Sequence, residues 1–269
     1  MNYLKYLFYG IVQGVTEFLP ISSSAHLKVF SEYLDLQDPG PSTSAIVQIA
    51  SVFAILIYFR KDIISLKGIN LENNYWYKNK IFISILIGSI PIIISGGFMK
   101  FIIPQYYEST LRSNLLIGII SIFTALLMYL TQFVRNININ IENHSLFNSF
   151  LIGFAQAFAL IPGVSRSGIT ITFALLLGWK RVDAAKYSFF LGIPAISLAA
   201  FVEMFSSIQS NLLISYGPLF VALSSAFIAS YISINFLVKY ISLKGLNIFI
   251  FYKLIFGLLV LLGEFSLRK

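Results

Sequence analysis

Apolar residues run through this chain in blocks of about twenty, separated by short polar or basic connections, and this alternation sets the elements to expect. At 1.5 Å of rise per residue, about 20 apolar residues form a helix that crosses the hydrocarbon core of a bilayer. Six blocks have that length, running approximately from Ser42 to Phe59, Ile81 to Met99, Leu115 to Val134, Ala184 to Phe205, Gly217 to Val238 and Asn247 to Leu262. Two regions differ. Met1 to Leu36 and Ser145 to Trp179 are apolar arms broken in the middle by proline and a serine-rich turn, leaving halves of about 15 residues that are too short to span. Each predicts a re-entrant helix, loop and helix, a form tolerated at membrane depth only where its free backbone groups face protein or a wet cavity.

The two broken regions repeat each other. Aligning Gln13 with Gln156 brings Gly10 onto Gly153, Ser22 onto Ser165, Ser24 onto Ser167 and Ala25 onto Gly168 without a gap. Each broken region is followed by three spans. Three is odd, so the second copy must enter from the opposite face: an inverted repeat whose two polar loops meet near the midplane. The expected fold is therefore an all-α polytopic membrane protein, one domain over residues 1–269, with repeat 1 at 1–134 and repeat 2 at 146–265. Basic residues orient it. One side carries Arg60, Lys61, Lys67, Lys78 and Lys80 in a single loop and eleven lysines and arginines in all, against five on the other. The richer side is cytoplasmic, which places both termini outside.

Composition agrees with a membrane helix bundle. Hydrophobic residues make up 57% and charged residues 11%, too little polarity for a soluble domain of 269 residues. A β-barrel is disfavoured because the apolar blocks far exceed barrel strands of about 10 residues. The formal net charge of +8 sits mostly between apolar blocks, as topology signals, so nucleic acid is not an expected partner. With no cysteine there are no disulfides or thiolate metal sites. A cleavable signal peptide is not expected, since the first apolar run carries Gln13 and Glu17.

Two polar islands hold the candidate chemistry. Gln13 to His26 sets a carboxylate, three consecutive hydroxyls and a histidine in an apolar background, and an ionisable group at this depth marks a functional site by default. The second island, Pro162 to Gly168, centres on Arg166, a planar guanidinium fork between two serines and two glycines. That setting suits an anionic oxygen cluster such as phosphate or diphosphate, approached by backbone N–H groups and by the start of the helix that follows. The plainer reading is a structural ion pair between Arg166 and Glu17. Gln13 lies one helical turn before Glu17; it either shares a cation or nucleophile with it or makes a packing hydrogen bond. His26 is the natural proton carrier, or else a satisfied core residue. Ser22, Ser23 and Ser24 are candidates for chemistry and for capping the second half-helix. His144, beside Glu142 in a polar loop, reads as a solvated surface residue. Lys253 within the last span either pairs with a carboxylate or snorkels to the interface.

At these islands the chain resembles the undecaprenyl-diphosphate phosphatase family associated with bacitracin resistance. The resemblance runs through Gln13-x-x-x-Glu17-Phe18-Leu19-Pro20-x-Ser22-Ser23 to His26, then Pro162-Gly163-x-Ser165-Arg166-Ser167-Gly168-x-Thr170, and more weakly to Ser188-Phe189-x-Leu191-x-Ile193-Pro194. It implies a bacterial plasma-membrane enzyme that dephosphorylates a polyprenyl diphosphate, recycling the lipid carrier of wall synthesis, with a divalent cation, magnesium or calcium. It also implies a site opening to the periplasmic side. Gln13 stands where the family often has glutamate, so a metal role falls on Glu17. Ser24 and Ala25 replace the usual threonine and glycine, and Lys186 stands at a commonly acidic position.

On this reading Glu17, Ser23, His26 and Arg166 are catalytic. Gln13, Ser22, Ser24, Gly163, Ser165, Ser167, Gly168 and Thr170 contact the diphosphate. Ser23 is the expected nucleophile and His26 the acid or base, with His26 itself as phosphate acceptor in the alternative assignment. The competing function is a transporter or flippase of a polyprenyl phosphate lipid, because inverted repeats with broken helices are a transporter architecture. Homo-oligomerisation is compatible with the sequence and not required by it.

Overall fold

The structure is a computed structural model that describes residues 3–33, 41–67, 75–209 and 216–267. Twelve α-helices follow in order: α1 (Tyr3–Phe18), α2 (Ser23–Tyr33), α3 (Pro41–Tyr58), α4 (Arg60–Lys67), α5 (Tyr75–Phe101), the single turn α6 (Pro104–Tyr106), α7 (Asn114–Leu130), α8 (Leu146–Ala157), α9 (Arg166–Leu176), α10 (Arg181–Gln209), α11 (Tyr216–Lys244) and α12 (Asn247–Leu267). Among the described residues the only extended pairing is an isolated bridge between Ile139 and Trp179. Among the described residues five helices, α5, α7, α10, α11 and α12, are long and apolar enough to cross a membrane. The remaining one of the six expected spans corresponds to α3, a helix of 18 residues. The broken arms appear as short helix pairs, α1 with α2 and α8 with α9, of 16, 11, 12 and 11 residues.

Local sequence explains the breaks. Pro20 has no N–H and restricts Leu19 before it, so α1 stops at Phe18. Helix α8 tightens into a 3₁₀ turn over Phe158–Leu160 just ahead of Pro162. Ser113 and Ser145 start α7 and α8 by accepting the backbone N–H of Leu116 and Asn148.

Helix pairs are closed by small residues, as expected where lipid supplies no hydrophobic drive between helices and close packing must hold them. α1 lies on α11, with Gly10 and Gly14 against Ala222 and Ala226; a Cβ at Gly10 would sit 2.3 Å from the Ala222 carbonyl oxygen. α8 lies on α5, where a Cβ at Gly153 would meet the Gly88 carbonyl oxygen at 2.1 Å. α7 pairs with α12, α3 packs on α10 and α11, and α9 sits between α8 and α10. The main core gathers Phe18, Phe59, Trp179, Tyr187, Phe189 and Leu191, with Phe18 edge-on to Phe189 at 5.4 Å. Leu4, Phe101, Phe220 and Phe251 face outward at 66–73% exposure, a surface that belongs in lipid and makes this a multi-pass membrane protein.

One basic-side feature corrects the sequence reading. His144 is not solvated: it is fully buried, its Nδ1–H donates to the Ile141 carbonyl at 2.8 Å, and its ring lies 5.0 Å from Trp179 and 5.7 Å from Tyr187. The loop carrying it is clipped to the start of α10 through Lys180 N–H to Ile139 O, 2.7 Å. Lys186, unexplained by sequence, pairs with Asp62 across α10 and α4. Ala25 lies within α2, fully buried against Val29, Ile117 and Phe256, and needs no glycine-like backbone.

Candidate active site

The two loops between the short helices meet in the interior. Gly163 has φ +98° and lies where a Cβ would come within 2.9 Å of the Ile117 carbonyl oxygen, so only glycine fits. Ser22 and Ser165, each immediately before a short helix, also have positive φ, 78° and 71°. Ser165 caps α9 by accepting the Gly168 N–H. The Ser22 hydroxyl is spent on the other loop, accepting the Gly163 N–H at 3.1 Å. Ser167 donates to the Leu19 carbonyl, also at 3.1 Å. Backbone and side chain thus stitch the islands together across 141 and 148 positions of sequence.

At the junction sits a buried charge network. Arg166 donates through one terminal nitrogen to Glu17 Oε1 at 3.1 Å and through the other to the Ser188 carbonyl at 3.1 Å, while its Nε is buried with no partner. Side-chain exposures of 11% and 7% put this ion pair well inside the protein, where breaking one partner costs about 3–5 kcal/mol. Glu17 Oε2 accepts from Gln13 Nε2 at 2.9 Å and from the Ser23 hydroxyl at 2.8 Å. Gln13, Glu17, Ser23 and Arg166 are therefore one connected cluster, with Ser23 partly accessible at its edge.

The other expected residues divide. Ser24 is exposed and its hydroxyl lies 3.3 Å from that of Ser22. Ser165 and Ser167 stand 3.4 Å apart in the second loop, and Gly168 packs on Pro20. Thr170 lies beneath Arg166, with its hydroxyl 2.6 Å from that of Ser188, whose carbonyl holds the guanidinium. His26 is fully buried and turned elsewhere: Nδ1–H donates to the Ser22 carbonyl at 2.8 Å, so the neutral ring accepts the Tyr252 hydroxyl at Nε2, 2.6 Å. Phe256 stacks on its face at 4.2 Å.

Sequence reasoning missed Tyr252 on α12, and of the two readings offered for Lys253 beside it, a carboxylate pair or snorkelling, the structure shows neither. Lys253 is 1% exposed and donates to the carbonyls of Gly163 and Val164 at 2.7 and 3.0 Å. An isolated lysine in an apolar span carries no signal of this kind, since snorkelling lysines look the same in sequence.

Among the described residues no group of three or more His, Cys, Asp or Glu side chains could ligate a metal. The oxygen donors at hand are the Glu17 carboxylate and Gln13 Oε1, buried beside it without a partner. One carboxylate and one amide oxygen suit a hard cation that takes its remaining ligands from water and phosphate oxygens.

Comparison of the sequence with known proteins places the chain in a family. An undecaprenyl-diphosphatase of Prochlorococcus marinus (strain MIT 9301) is 51% identical over 265 residues, covering 98% of this chain and 100% of the relative. Another, from Prochlorococcus marinus subsp. pastoris (strain CCMP1986 / NIES-2087 / MED4), is 52% identical over 263 residues, 97% of this chain and 99% of its own. The family described as bacitracin resistance protein BacA matches residues 6–259, nearly the full length including both loops and the first part of α12, and the chain belongs to that family.

Proposed function

We propose that this protein removes the terminal phosphate of undecaprenyl diphosphate, returning the lipid monophosphate for wall synthesis and thereby conferring resistance to bacitracin. The observation that carries this is the Ser23 hydroxyl donating at 2.8 Å to a carboxylate that Arg166 holds on its other oxygen. Ser23 Oγ attacks the terminal phosphorus while Glu17 takes the hydroxyl proton. The bond from that phosphorus to the bridging oxygen breaks, and the lipid monophosphate leaves with the electron pair and takes the proton from Glu17. Water, deprotonated by the freed Glu17 carboxylate, then attacks the phosphoserine; inorganic phosphate is released and Glu17 returns the proton to the departing Ser23 oxygen. Arg166 serves the developing charge with the Nε–H that the protein leaves unpartnered. Glu17 as base departs from the sequence expectation of His26. A nucleophilic or proton-accepting His26 would first have to give up Tyr252.

Glu17 and Gln13 Oε1 are the groups that would hold a magnesium or calcium ion, which when bound neutralises charge on the phosphate oxygens. Ser22, Ser24, Gly163, Ser165, Ser167, Gly168 and Thr170 shape the diphosphate cradle, some through backbone and some, like Thr170, by supporting Arg166.

The inverted repeat is part of this reading. What supports it is the matched packing of α1 on α11 and α8 on α5, together with positive φ at the aligned serines Ser22 and Ser165. Enclosure of the loops then follows from entry by opposite faces, with the site open to the periplasmic side and both termini external. The deciding experiment is phosphate release from undecaprenyl diphosphate by the purified protein, before and after chelation and with magnesium or calcium restored. Release that Ser23→Ala abolishes is the expected result. Movement of intact lipid across vesicles without phosphate release would replace this reading with a transporter.

A further inference from the structure

Lys253 lies in α12, a helix that is otherwise almost wholly apolar, and none of the catalytic steps above uses it. An ammonium buried at membrane depth is costly, and a methionine would fill a similar volume at no such cost. Both of its hydrogen bonds go to backbone carbonyls of the second loop, Gly163 and Val164. That loop has two left-handed positions close together, Gly163 at φ +98°, which glycine tolerates, and Ser165 at +71°, which is strained by its Cβ. Such conformations persist only when their surroundings over-determine them.

Gly163 is held at both ends. Its N–H is bound by the Ser22 hydroxyl of the first loop and its carbonyl by Lys253 of α12. In a trans peptide the C=O and the following N–H point in opposite directions. Fixing the Gly163 and Val164 carbonyls on Lys253 therefore turns the Val164 and Ser165 N–H groups away from α12. Ser165 in turn caps the helix that begins with Arg166. One residue earlier on α12, Tyr252 grips His26, so a single helical turn holds the second loop and also α2, the helix that follows the first loop.

We infer that Lys253 is a positioning residue, which with Ser22 locks Gly163 from both sides and so sets the turn that aims Arg166 at the terminal phosphate. The inference rests on the phosphatase reading. Because Arg166 matters most as charge develops in the transition state, misaiming it lowers kcat more than it raises KM.

The test is steady-state phosphate release by Lys253→Met, Lys253→Arg, Ser22→Ala and the Lys253→Met/Ser22→Ala pair, each first checked for a monodisperse, cooperatively melting protein. Lys253→Met is expected to lose roughly 30-fold or more in kcat with KM changed less than about threefold. Lys253→Arg, whose fork can also donate to two carbonyls, recovers to within about fivefold of the unsubstituted protein. The double variant is expected to be no worse than Lys253→Met alone, since both changes release the same glycine. Unchanged kcat in Lys253→Met, a loss confined to KM, or losses that multiply in the double variant would overturn the inference. Should Lys253→Met fail to fold, Lys253→Gln is judged by the same criteria. Absence of phosphate release from the unsubstituted protein is a different result, and overturns the phosphatase reading itself.

Discussion

Ser22 and Ser165 share a rare positive φ, 78° and 71°, at the same position relative to a short helix, one in each half of the chain. Their hydroxyls do different work. Ser165 caps its own helix, while Ser22 reaches the opposite loop. Positive φ disfavours any Cβ and is worst for a branched one. Ser165→Gly should therefore be nearly neutral in melting temperature, because relief of φ offsets the lost cap. Ser165→Ala keeps the unfavourable φ and loses the cap, a cost of about 1 kcal/mol, and Ser165→Val should cost more. Equal melting temperatures for the three variants would show that neither φ nor the cap matters.

Ser23→Ala should abolish phosphate release, a loss of about a thousandfold or more, with lipid diphosphate binding retained. Ser24→Ala, at an exposed hydroxyl, should cost little, and Ser22→Ala should fall between them through its hold on Gly163. Equal losses at all three positions would leave Ser23 without a special role.

Arg166→Lys separates charge from geometry. A lysine can answer the buried Glu17 carboxylate, so melting temperature should fall less than in Arg166→Ala, which strands that charge. Activity should not follow: about a hundredfold loss is expected, because a point charge cannot replace a fork that serves Glu17, Ser188 and the substrate together. Turnover close to that of the unsubstituted protein would reduce Arg166 to a general electrostatic role.

How much of this was legible in sequence depends on where each signal lives. Glu17, the three serines and Arg166 stood out because polarity in an apolar background is a local signal, and the aligned serines tied the two loops together. Burial imposed from a distance left no such mark. His144 sits among Asn and Glu residues and reads as solvated, yet Trp179 and Tyr187 from other elements cover it. His26 was placed near Ser23 by proximity in sequence, whereas its helix turns the ring toward Tyr252, 226 positions away.

His144 also gives a pH dependence. Burial pushes it down to about 4; its hydrogen bond to Ile141 opposes this and nearby Lys80 adds to it. The unfolded value is near 6.5, so between the two the unfolded chain binds the extra proton. Its contribution to stability is complete above about pH 6.5, declines as pH falls towards 4, and changes no further below. Melting temperature should drop between pH 7 and pH 5 by more in the unsubstituted protein than in His144→Asn, whose amide can still donate to Ile141. Parallel pH profiles would mean that His144 does not titrate in this range.

Membrane orientation is open to a direct check in this cysteine-free chain. Cysteines at the exposed positions Gln105 and Ser266 should react with an impermeant thiol reagent in intact cells, and one at Asn138 should not. The opposite pattern would invert the topology, and Gln105 and Ser266 on different sides would break the repeat.

The partnership between Glu17 and Arg166 has a consequence for biosynthesis. Glu17 emerges from the ribosome 149 residues before the guanidinium that pairs with it, so α1 must wait in or beside the insertion machinery with an unanswered carboxylate. Gly10 and Gly14, which fit only against α11, must wait longer still. Helix α1 is thus made before the elements it is seated on, and for this helix the order of assembly runs against the order of synthesis.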